Sequence, residues 1–596
     1  MKNENFYTAY NARHLAPREV AKTFIWSESF AQLIQNNHSV ILGARGCGKT
    51  TLMKMLTVPA LHSWELDSRA EDVRTNIPFY AIYVSTDIYW NVKNQTYGNQ
   101  LKRYKGLSER VSHFSVNSNV FTSICDTFLN ILSLELKDNS EEKEIELCRC
   151  LIKAWKLEST IPKIIYVKEA LIQRVDEVNQ MIQKIIFNSS DSEVFDLPEY
   201  FNLSFDSSLE SIIPQFERIY DLNKINKIKK WALCFDELEF APIWLQNQLF
   251  SSLRSRTQYL LYKLSASPIL PSELEKSLMS DYSPSVDNDV TMIKMWDSTD
   301  KEEFSKKIIQ SFLNDATDPT DFFGTNEIYN KTHYSYEKGS RFYKELLELI
   351  SKDDSFKSFL ISKKIDVTNP LFTENNQKDV LFRKIKPIVY FRNAFIKTNK
   401  DSIITKRSRK SSSELYYGIE VLLKVCEGNP RWLIGIISQL LSKTGGSKPS
   451  KESQYQQLFE SAVRFKNVIA NIPVGSSDNT VDDLMERIGL FFSNEVLGKE
   501  FQMDPRGTVF IDDKAILSYP DISNIIEKAA AQGALILVGS QNNSFDFRVN
   551  GKRFKISYLF SILYNLPLRR FNEVNLSKCL KGVNGQNSGQ FTFPFK

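Results

Sequence analysis

Cysteine and histidine are scarce in this sequence, and neither forms a pattern typical of a metal site. Seven cysteines and five histidines are scattered over 596 residues, without the paired spacing of a zinc site. Cysteines that are few and odd in number indicate a reducing compartment, and the first residues, MKNENFYTAY, lack the apolar core of a secretory signal. We therefore expect a cytoplasmic protein without a zinc ion.

Long apolar runs and a strong net charge are also lacking. No stretch approaches the roughly 18 consecutive apolar residues of a membrane-spanning helix, so we expect no membrane partner. The net charge is only +5, while the apolar fraction of 42% and the charged fraction of 25% are ordinary for globular chains. The length of 596 residues predicts about two to four domains.

Residues 39–56 read SVILGARGCGKTTLMKML and contain the phosphate-loop pattern GxxxxGK[ST] between an apolar strand and a helix-forming run. The glycines let backbone N–H groups curl inward around phosphates. Lys49 would contact the β- and γ-phosphates, and the Thr50 hydroxyl would bind Mg²⁺. The predicted nucleotide-binding residues are Gly43, Ala44, Arg45, Gly46, Cys47, Gly48, Lys49, Thr50 and Thr51.

A second motif, WALCFDELEFAP at 231–242, is an apolar strand that ends in two carboxylates. We assign Asp236 to the Mg²⁺ shell and Glu237 to the general base that activates water. Acidic pairs after apolar runs are common in proteins. The phosphate loop earlier in the chain is what favours the catalytic interpretation of this pair.

Small polar and basic residues follow these motifs. In YKLSASP, at 262–268, Ser265 or Ser267 would hydrogen-bond the attacking water or the γ-phosphate, the alternative being a serine that caps the turn before proline. Arg431, in the motif GNPR, would fold back onto the γ-phosphate from a later helical domain, the alternative being a plain surface arginine. Arg254 or Arg256 would act on a neighbouring subunit, and a structural salt bridge is the alternative that we favour for this pair.

Strand-like segments alternate with helical ones, which predicts an α/β fold built on a three-layer parallel sheet. The strands are expected at 39–42, 77–90, 230–235, 260–267 and 290–296. The domains are expected as follows: a lead-in and first part of the core at 1–104, a helical insertion at 105–220, the second part of the core at 221–300, a helical lid with a polar, irregular insertion (318–412) at 301–445, and a C-terminal domain at 446–596.

The C-terminal domain resembles a winged helix, since helices precede a predicted hairpin, FDFRV-NG-KRFKI, with Asn550-Gly551 at its turn. Residues 545–596 hold nine Lys and Arg against two acidic residues. This tail is either a solvated basic surface or a contact for nucleic acid or an acidic partner. The helix DISNIIEKAAAQG carries two acidic residues and one lysine, which argues against reading of a base sequence in the major groove.

Together the motifs GARGCGKTT, CFDELE, SASP and GNPR resemble those of AAA+ ATPases of the origin-recognition (ORC-like) type, and they look equally like the STAND signalling ATPases. The stretches NARHLAPREVAKTF at 11–24 and FKISYLFSILYNLPLR at 554–569 are similar to segments of bacterial ORC-like proteins. The resemblance implies ATP and Mg²⁺ as cofactors, Ser265 or Ser267 as the first sensor and Arg431 as the second. The segments at 105–220 and 318–412 match no pattern of these families.

Two functions follow from the resemblance. The first is an ATP-hydrolysing switch whose nucleotide state controls self-assembly or the binding of a partner encoded nearby, in prokaryotic antiviral defence. The second is an initiator or loader ATPase that contacts the DNA backbone through the winged helix and the basic tail. A scaffold that binds ATP without useful hydrolysis is a third alternative, against which the intact Lys49, Asp236 and Glu237 argue.

Overall fold

The computed structural model describes most of the chain. The described residues are 12–91, 98–101, 104, 106–136, 140–158, 161–188, 197–222, 229–254, 260–279, 283–313, 317–330, 338–370, 376–399, 402–405, 412–475, 479–539 and 545–581. No helix within these ranges is both long enough and apolar enough to cross a membrane.

A five-stranded, all-parallel sheet forms the centre of the N-terminal half. Its strands are β1 (His38–Leu42), β2 (Phe79–Ser85), β3 (Lys230–Asp236), β4 (Leu260–Ala266) and β5 (Val290–Lys294). They lie in the order β2-β3-β4-β1-β5, so all four crossovers leave the carboxyl ends of the strands at one edge. All five strands and the parallel α/β fold were predicted from the sequence, and both predictions are confirmed.

Both faces of this sheet are covered, which explains why its strands are nearly continuous apolar runs. Val40 and Leu42 point into one buried cluster, and Ile41 between them points into another. The first cluster includes the helices of the insertion at 105–220, and the second includes the helices next to the phosphate loop. The helices of this half are α1 (Pro17–Ala21), α2 (Glu28–Leu33), α3 (Lys49–Met55), α4 (Val58–Ser63), α5 (Ala70–Asn76), α6 (Gly98–Leu101), α7 (Leu107–Leu134), α8 (Glu141–Ala154), α9 (Ile164–Asn188), α10 (Phe205–Ile219), α11 (Ile243–Ser251) and α12 (Glu275–Leu278).

The second half is largely helical, and its apolar residues form one cluster that spans both sides of residue 445. Its first helices are α13 (Lys301–Phe312), α14 (Pro319–Phe323), α15 (Arg341–Lys352), α16 (Asp354–Ser362), α17 (Asn376–Phe395), α18 (Ile419–Cys426) and α19 (Pro430–Thr444). A hairpin, β6 (Ile396–Asn399) and β7 (Ser402–Thr405), follows α17. The prediction of an irregular insertion at 318–412 is therefore wrong, because Phe342, Leu346 and Phe382 are core residues on helices.

A four-stranded sheet, in the order β11-β8-β10-β9, belongs to the C-terminal region. Its elements are α20 (Lys451–Ala470), α21 (Val481–Leu497), β8 (Arg506–Phe510), α22 (Asp513–Ser518), α23 (Ile522–Gln532), β9 (Leu535–Leu537), β10 (Arg553–Ile556), α24 (Tyr558–Ser561), β11 (Asn572–Asn575) and α25 (Leu576–Leu580).

The predicted hairpin around Asn550-Gly551 is wrong in its first strand. Residues 545–549 are not a strand, and β10 pairs instead with β9 and β8. Phe545 and Phe547 alternate as strand residues do, but they are buried in the cluster of the N-terminal half. The backbone carbonyl of Asp546 accepts a hydrogen bond from Leu270 N–H at 2.8 Å. The alternation therefore reflects docking onto the ATPase core and not sheet pairing.

We expect His38, at the start of β1, to make the protein less stable in acid. Burial and the nearby Lys263 and Lys230 lower the pKa of His38 from 6.5 to about 4, and its Nδ1 accepts a hydrogen bond from Tyr262 N–H at 2.9 Å. The imidazole of His38 binds a proton more tightly in the unfolded chain than in the folded one. The contribution of neutral His38 to the free energy of unfolding is therefore fully present above pH 6.5 and is lost as the pH falls towards 4. We expect a loss of about 3 kcal/mol between pH 7 and pH 4.

Urea unfolding of the wild type and of His38→Gln at both pH values measures this loss. The glutamine variant should lose about 3 kcal/mol less over the same range, whereas His14→Gln, at an exposed position, should behave as the wild type. Equal pH dependence in the wild type and His38→Gln would contradict the assignment.

Candidate active site

The phosphate loop lies between the carboxyl end of β1 and the start of α3, as the sequence predicts. Its first residue, Gly43, donates its N–H to the carbonyl of Ala266 at the end of β4, at 3.2 Å. Gly48 has a φ of +102° and caps α3, a conformation that favours glycine. The N-terminus of α3, which follows the loop, suits an anion.

Lys49 is buried, with 7% of its side chain exposed. Its ammonium donates a hydrogen bond to the Gly43 carbonyl at 2.6 Å and lies 3.6 Å from a Glu239 carboxylate oxygen. Burial alone lowers the pKa of Lys49, but the carboxylates of Glu239, Asp236 and Glu237 outweigh it and the net pKa is raised. The lysine therefore carries a full positive charge in this site.

The acidic pair follows β3, and Ser265 on the adjacent strand β4 braces it. The Ser265 hydroxyl donates to Asp236 Oδ1 at 2.6 Å and accepts the backbone N–H of Glu237 at 3.0 Å. Glu237 has a φ of +57°, which is uncommon for a residue with a side chain and is found most often at functional sites. Burial and the adjacent Asp236 raise the pKa of Glu237, which suits a general base.

The backbone of Arg431, the predicted lid arginine, contacts the phosphate loop. The backbone N–H of Arg431 is 3.4 Å from the Gly46 carbonyl. Gly46 has a φ of +86°, and a Cβ on it would lie 2.9 Å from Arg431 Cβ and 3.0 Å from Asn429 Oδ1. Burial and the nearby Arg45 lower the pKa of Arg431, and Glu237 opposes that change. The GNPR motif and the phosphate loop are therefore in direct contact.

The remaining predicted site residues are Thr50, Thr51, Ser267, Arg254 and Arg256. Thr50 and Thr51 lie in the first turn of α3 and are half-buried, and Ser267 lies just beyond β4. Arg254 is exposed and donates to the Ser283 carbonyl at 3.3 Å. Arg256 lies outside the described residues.

Sequence reasoning missed four side chains of this site. Glu239 pairs with Lys49, Tyr83 at the end of β2 donates its hydroxyl to Asp236 Oδ2 at 3.2 Å, and Arg13 lies 3.6 Å from Glu237. The fourth, Lys54 on α3, lies beneath the lead-in segment. Glu239 was visible in the motif CFDELE, and Arg13 lies in the stretch NARHLAPREVAKTF, although nothing there pointed to the hydrolysis site. No pattern marked Tyr83 or Lys54, because tertiary structure brings them to the site.

The site fits a magnesium-bound nucleoside triphosphate. Glu239 Oε2 is buried and accepts no hydrogen bond from the residues that the structure describes. Such an oxygen needs a donor or a cation. Thr50 and Asp236 would hold Mg²⁺, whose chemistry is to neutralise charge that develops on the phosphates.

A parallel sheet with a phosphate loop after β1, carboxylates after β3 and an arginine on a following helical lid defines a P-loop protein of the AAA+ class. A family model described as ORC-CDC6-like matches residues 5–576. The chain therefore belongs to the ORC-CDC6-like family of AAA+ ATPases, and the resemblance to ORC-like proteins is confirmed. A comparison with curated proteins found no match.

Proposed function

We propose that the protein is an ATP-hydrolysing switch in which the phosphate loop reports the nucleotide state to the lid and the C-terminal region. One observation carries the proposal: the backbone of Arg45, inside the loop, is hydrogen-bonded to the lid and to the C-terminal region. Its carbonyl accepts from Asn429 Nδ2 at 3.1 Å, and its N–H donates to the Ala531 carbonyl at 2.7 Å. A change in loop conformation would alter both contacts.

Glu427 joins the lid to the C-terminal sheet immediately before the GNPR motif. Its carboxylate pairs with Lys555 on β10 and accepts the backbone N–H of Tyr558 at 2.9 Å. Lys555 is 15% exposed and Glu427 is 12% exposed, so this ion pair is shielded from water. Arg431 and the C-terminal region would therefore move as one body when the lid changes its angle.

The geometry of the acidic pair supports the proposed hydrolysis. Glu237 would take a proton from the water that attacks the γ-phosphate, since its raised pKa favours accepting a proton. Ser265 holds Asp236 and Glu237 in place through its two hydrogen bonds. Lys49 and Arg431 would bind the β- and γ-phosphate oxygens from opposite sides. Loss of the γ-phosphate removes the group that attracts Arg431, which resets the lid.

The output that we propose is self-assembly or the binding of a partner protein encoded nearby. The proposal extends to a STAND-like switch in antiviral defence, for which the support is the resemblance of the motifs alone. A closed lid would present a surface that the open form lacks, and a homo-oligomer is the simplest use of it.

Trapping the ATP-bound state tests the switch. Glu237→Gln should bind ATP, hydrolyse it at least about 100-fold more slowly than the wild type, and change in mass or shape when ATP is added. Light scattering measures the assembly, and hydrogen exchange at 427–433 and 529–535 measures the lid contacts. Lys49→Ala is the matched control that should not respond. An unchanged mass and unchanged exchange in Glu237→Gln with ATP would refute the switch.

The alternative, backbone contact with nucleic acid through 545–596, has weaker support. Four basic residues in and around the predicted hairpin each face a carboxylate: the pairs are Arg548 with Glu275, Lys552 with Asp546, Arg553 with Glu573, and Lys555 with Glu427. Such pairing reduces the charge available to phosphates. A salt titration of DNA binding tests this alternative: a steep loss of affinity with salt supports it, and no binding at low salt refutes it.

A further inference from the structure

The lead-in segment before α1 places an arginine in the hydrolysis site of its own chain. Arg13 Nη1 lies 3.6 Å from the Glu237 carboxylate, and 42% of the Arg13 side chain is exposed. We propose that Arg13 is a catalytic arginine that acts in cis: when ATP is bound, its guanidinium leaves Glu237 and binds the γ-phosphate. This inference rests on the proposed ATP hydrolysis.

A buried lysine fixes the lead-in at this place. Lys54, 7% exposed, donates hydrogen bonds to three lead-in carbonyls: those of Ala12 at 2.7 Å, Arg13 at 3.2 Å and Leu15 at 2.8 Å. All three ammonium donors are thereby used on one short segment. Lys54 is one helical turn after Thr50, so it holds the lead-in on the face of α3 where the Mg²⁺ ligand lies.

Lys54 also lies near the acidic pair and the tyrosine that contacts it. Tyr83, whose hydroxyl donates to Asp236, has its ring centroid 5.6 Å from Lys54 Nζ. Burial lowers the pKa of Lys54, and the Asp236, Glu237 and Glu19 carboxylates oppose that change. The lead-in, Lys54 and the acidic pair therefore form one connected cluster, in which Lys54 is a positioning residue for Arg13.

Charge explains why Arg13 would change partner. A Glu237 carboxylate carries one negative charge, whereas the γ-phosphate carries more charge and offers a bidentate contact that suits a guanidinium. Once Arg13 has moved, Glu237 is free to act as base. The water oxygen then bonds to the γ-phosphorus, its proton goes to Glu237, and the bond to the bridging oxygen breaks with its electron pair on the departing ADP. Arg13 would neutralise the charge on the transferring group.

Three measurements on the full-length chain test the inference. The variants are Arg13→Ala, Arg13→Lys and the control Arg18→Ala, which removes an exposed arginine of α1. Turnover is measured at saturating ATP, and thermal stabilisation is measured with MgADP and with MgADP plus aluminium fluoride, which mimics the planar phosphoryl group. Arg13→Ala is also mixed with Lys49→Ala, which keeps Arg13 but lacks the phosphate-binding lysine.

We expect Arg13→Ala to lose at least about 100-fold in turnover, to keep the stabilisation by MgADP and to lose the additional stabilisation by aluminium fluoride. Arg13→Lys should recover part of the turnover, and mixing with Lys49→Ala should restore none. Lys54→Met should reproduce these losses, and adding it to Arg13→Ala should cause no further loss of turnover, which a merely structural role would not predict.

Two results would overturn the inference. Wild-type or higher turnover in Arg13→Ala would show that the contact of Arg13 with Glu237 either has no effect on hydrolysis or inhibits it. Recovery of turnover on mixing Arg13→Ala with Lys49→Ala would show that the arginine acts in trans. A wild-type protein that neither hydrolyses ATP nor gains stability from aluminium fluoride would instead refute the proposed function itself.

Discussion

Replacing Lys49 with alanine is expected to abolish ATP turnover, with a loss of about 1000-fold or more. The ammonium is the charge that would meet the β- and γ-phosphates, and in this buried site no water replaces it. The variant also leaves Glu239, 3.6 Å away, without its ion-pair partner. Three carboxylates, Asp236, Glu237 and Glu239, would then repel the phosphates. Phosphate release at saturating MgATP measures the loss.

The control for this variant is Lys276→Ala, which removes an exposed lysine from α12. It should hydrolyse ATP at the wild-type rate, and both variants should retain the wild-type circular dichroism spectrum. Turnover in Lys49→Ala within tenfold of the wild type would mean that the loop is not the hydrolytic site.

Asp353→Ala is expected to destabilise the second half of the chain by about 3–5 kcal/mol. Arg392 and Asp353 are both fully buried, at 0% exposure, and the guanidinium Nε donates to Asp353 Oδ2 at 2.7 Å. Without the carboxylate, a buried positive charge keeps the carbonyls of Val496 and Gly498, at 2.8 and 3.0 Å, and the Ser355 hydroxyl, at 3.5 Å. The variant also loses a helix cap, since Asp353 accepts the N–H of Phe356. Urea unfolding measures the change.

Removing both partners at once provides the stringent control. In Asp353→Leu with Arg392→Met no buried charge is left alone, so most of the lost stability should return. Asp354→Ala, at the neighbouring exposed position, should cost little. If Asp353→Ala proved as mild as Asp354→Ala, the ion pair would contribute nothing to the junction between α17 and the end of α21.

The sequence predicted the parts of the molecule that depend on local pattern. Apolar runs located all five strands of the parallel sheet, and the phosphate loop, Asp236, Glu237 and Arg431 do converge at its carboxyl edge. Arg13 and Lys54 could not be found in this way, because their meeting depends on how the lead-in folds back across α3. Local patterns carry no information about such contacts between distant segments.

Two errors have the same physical origin. The alternation at 545–549 correctly reported that Phe545 and Phe547 are buried, but alternation does not say whether a sheet or another domain covers them. The polar composition of 318–412 concealed helices whose single apolar faces carry Phe342 and Leu346 into the core.

The hydrogen bond from Arg45 to Ala531 has a consequence for biosynthesis. The two residues are separated by about four fifths of the chain, so the phosphate loop leaves the ribosome long before its C-terminal partner exists. At translation rates of about 5–20 residues per second, the interval is on the order of half a minute or longer. A nascent chain therefore offers the loop to cellular ATP before the contact with Ala531 can form.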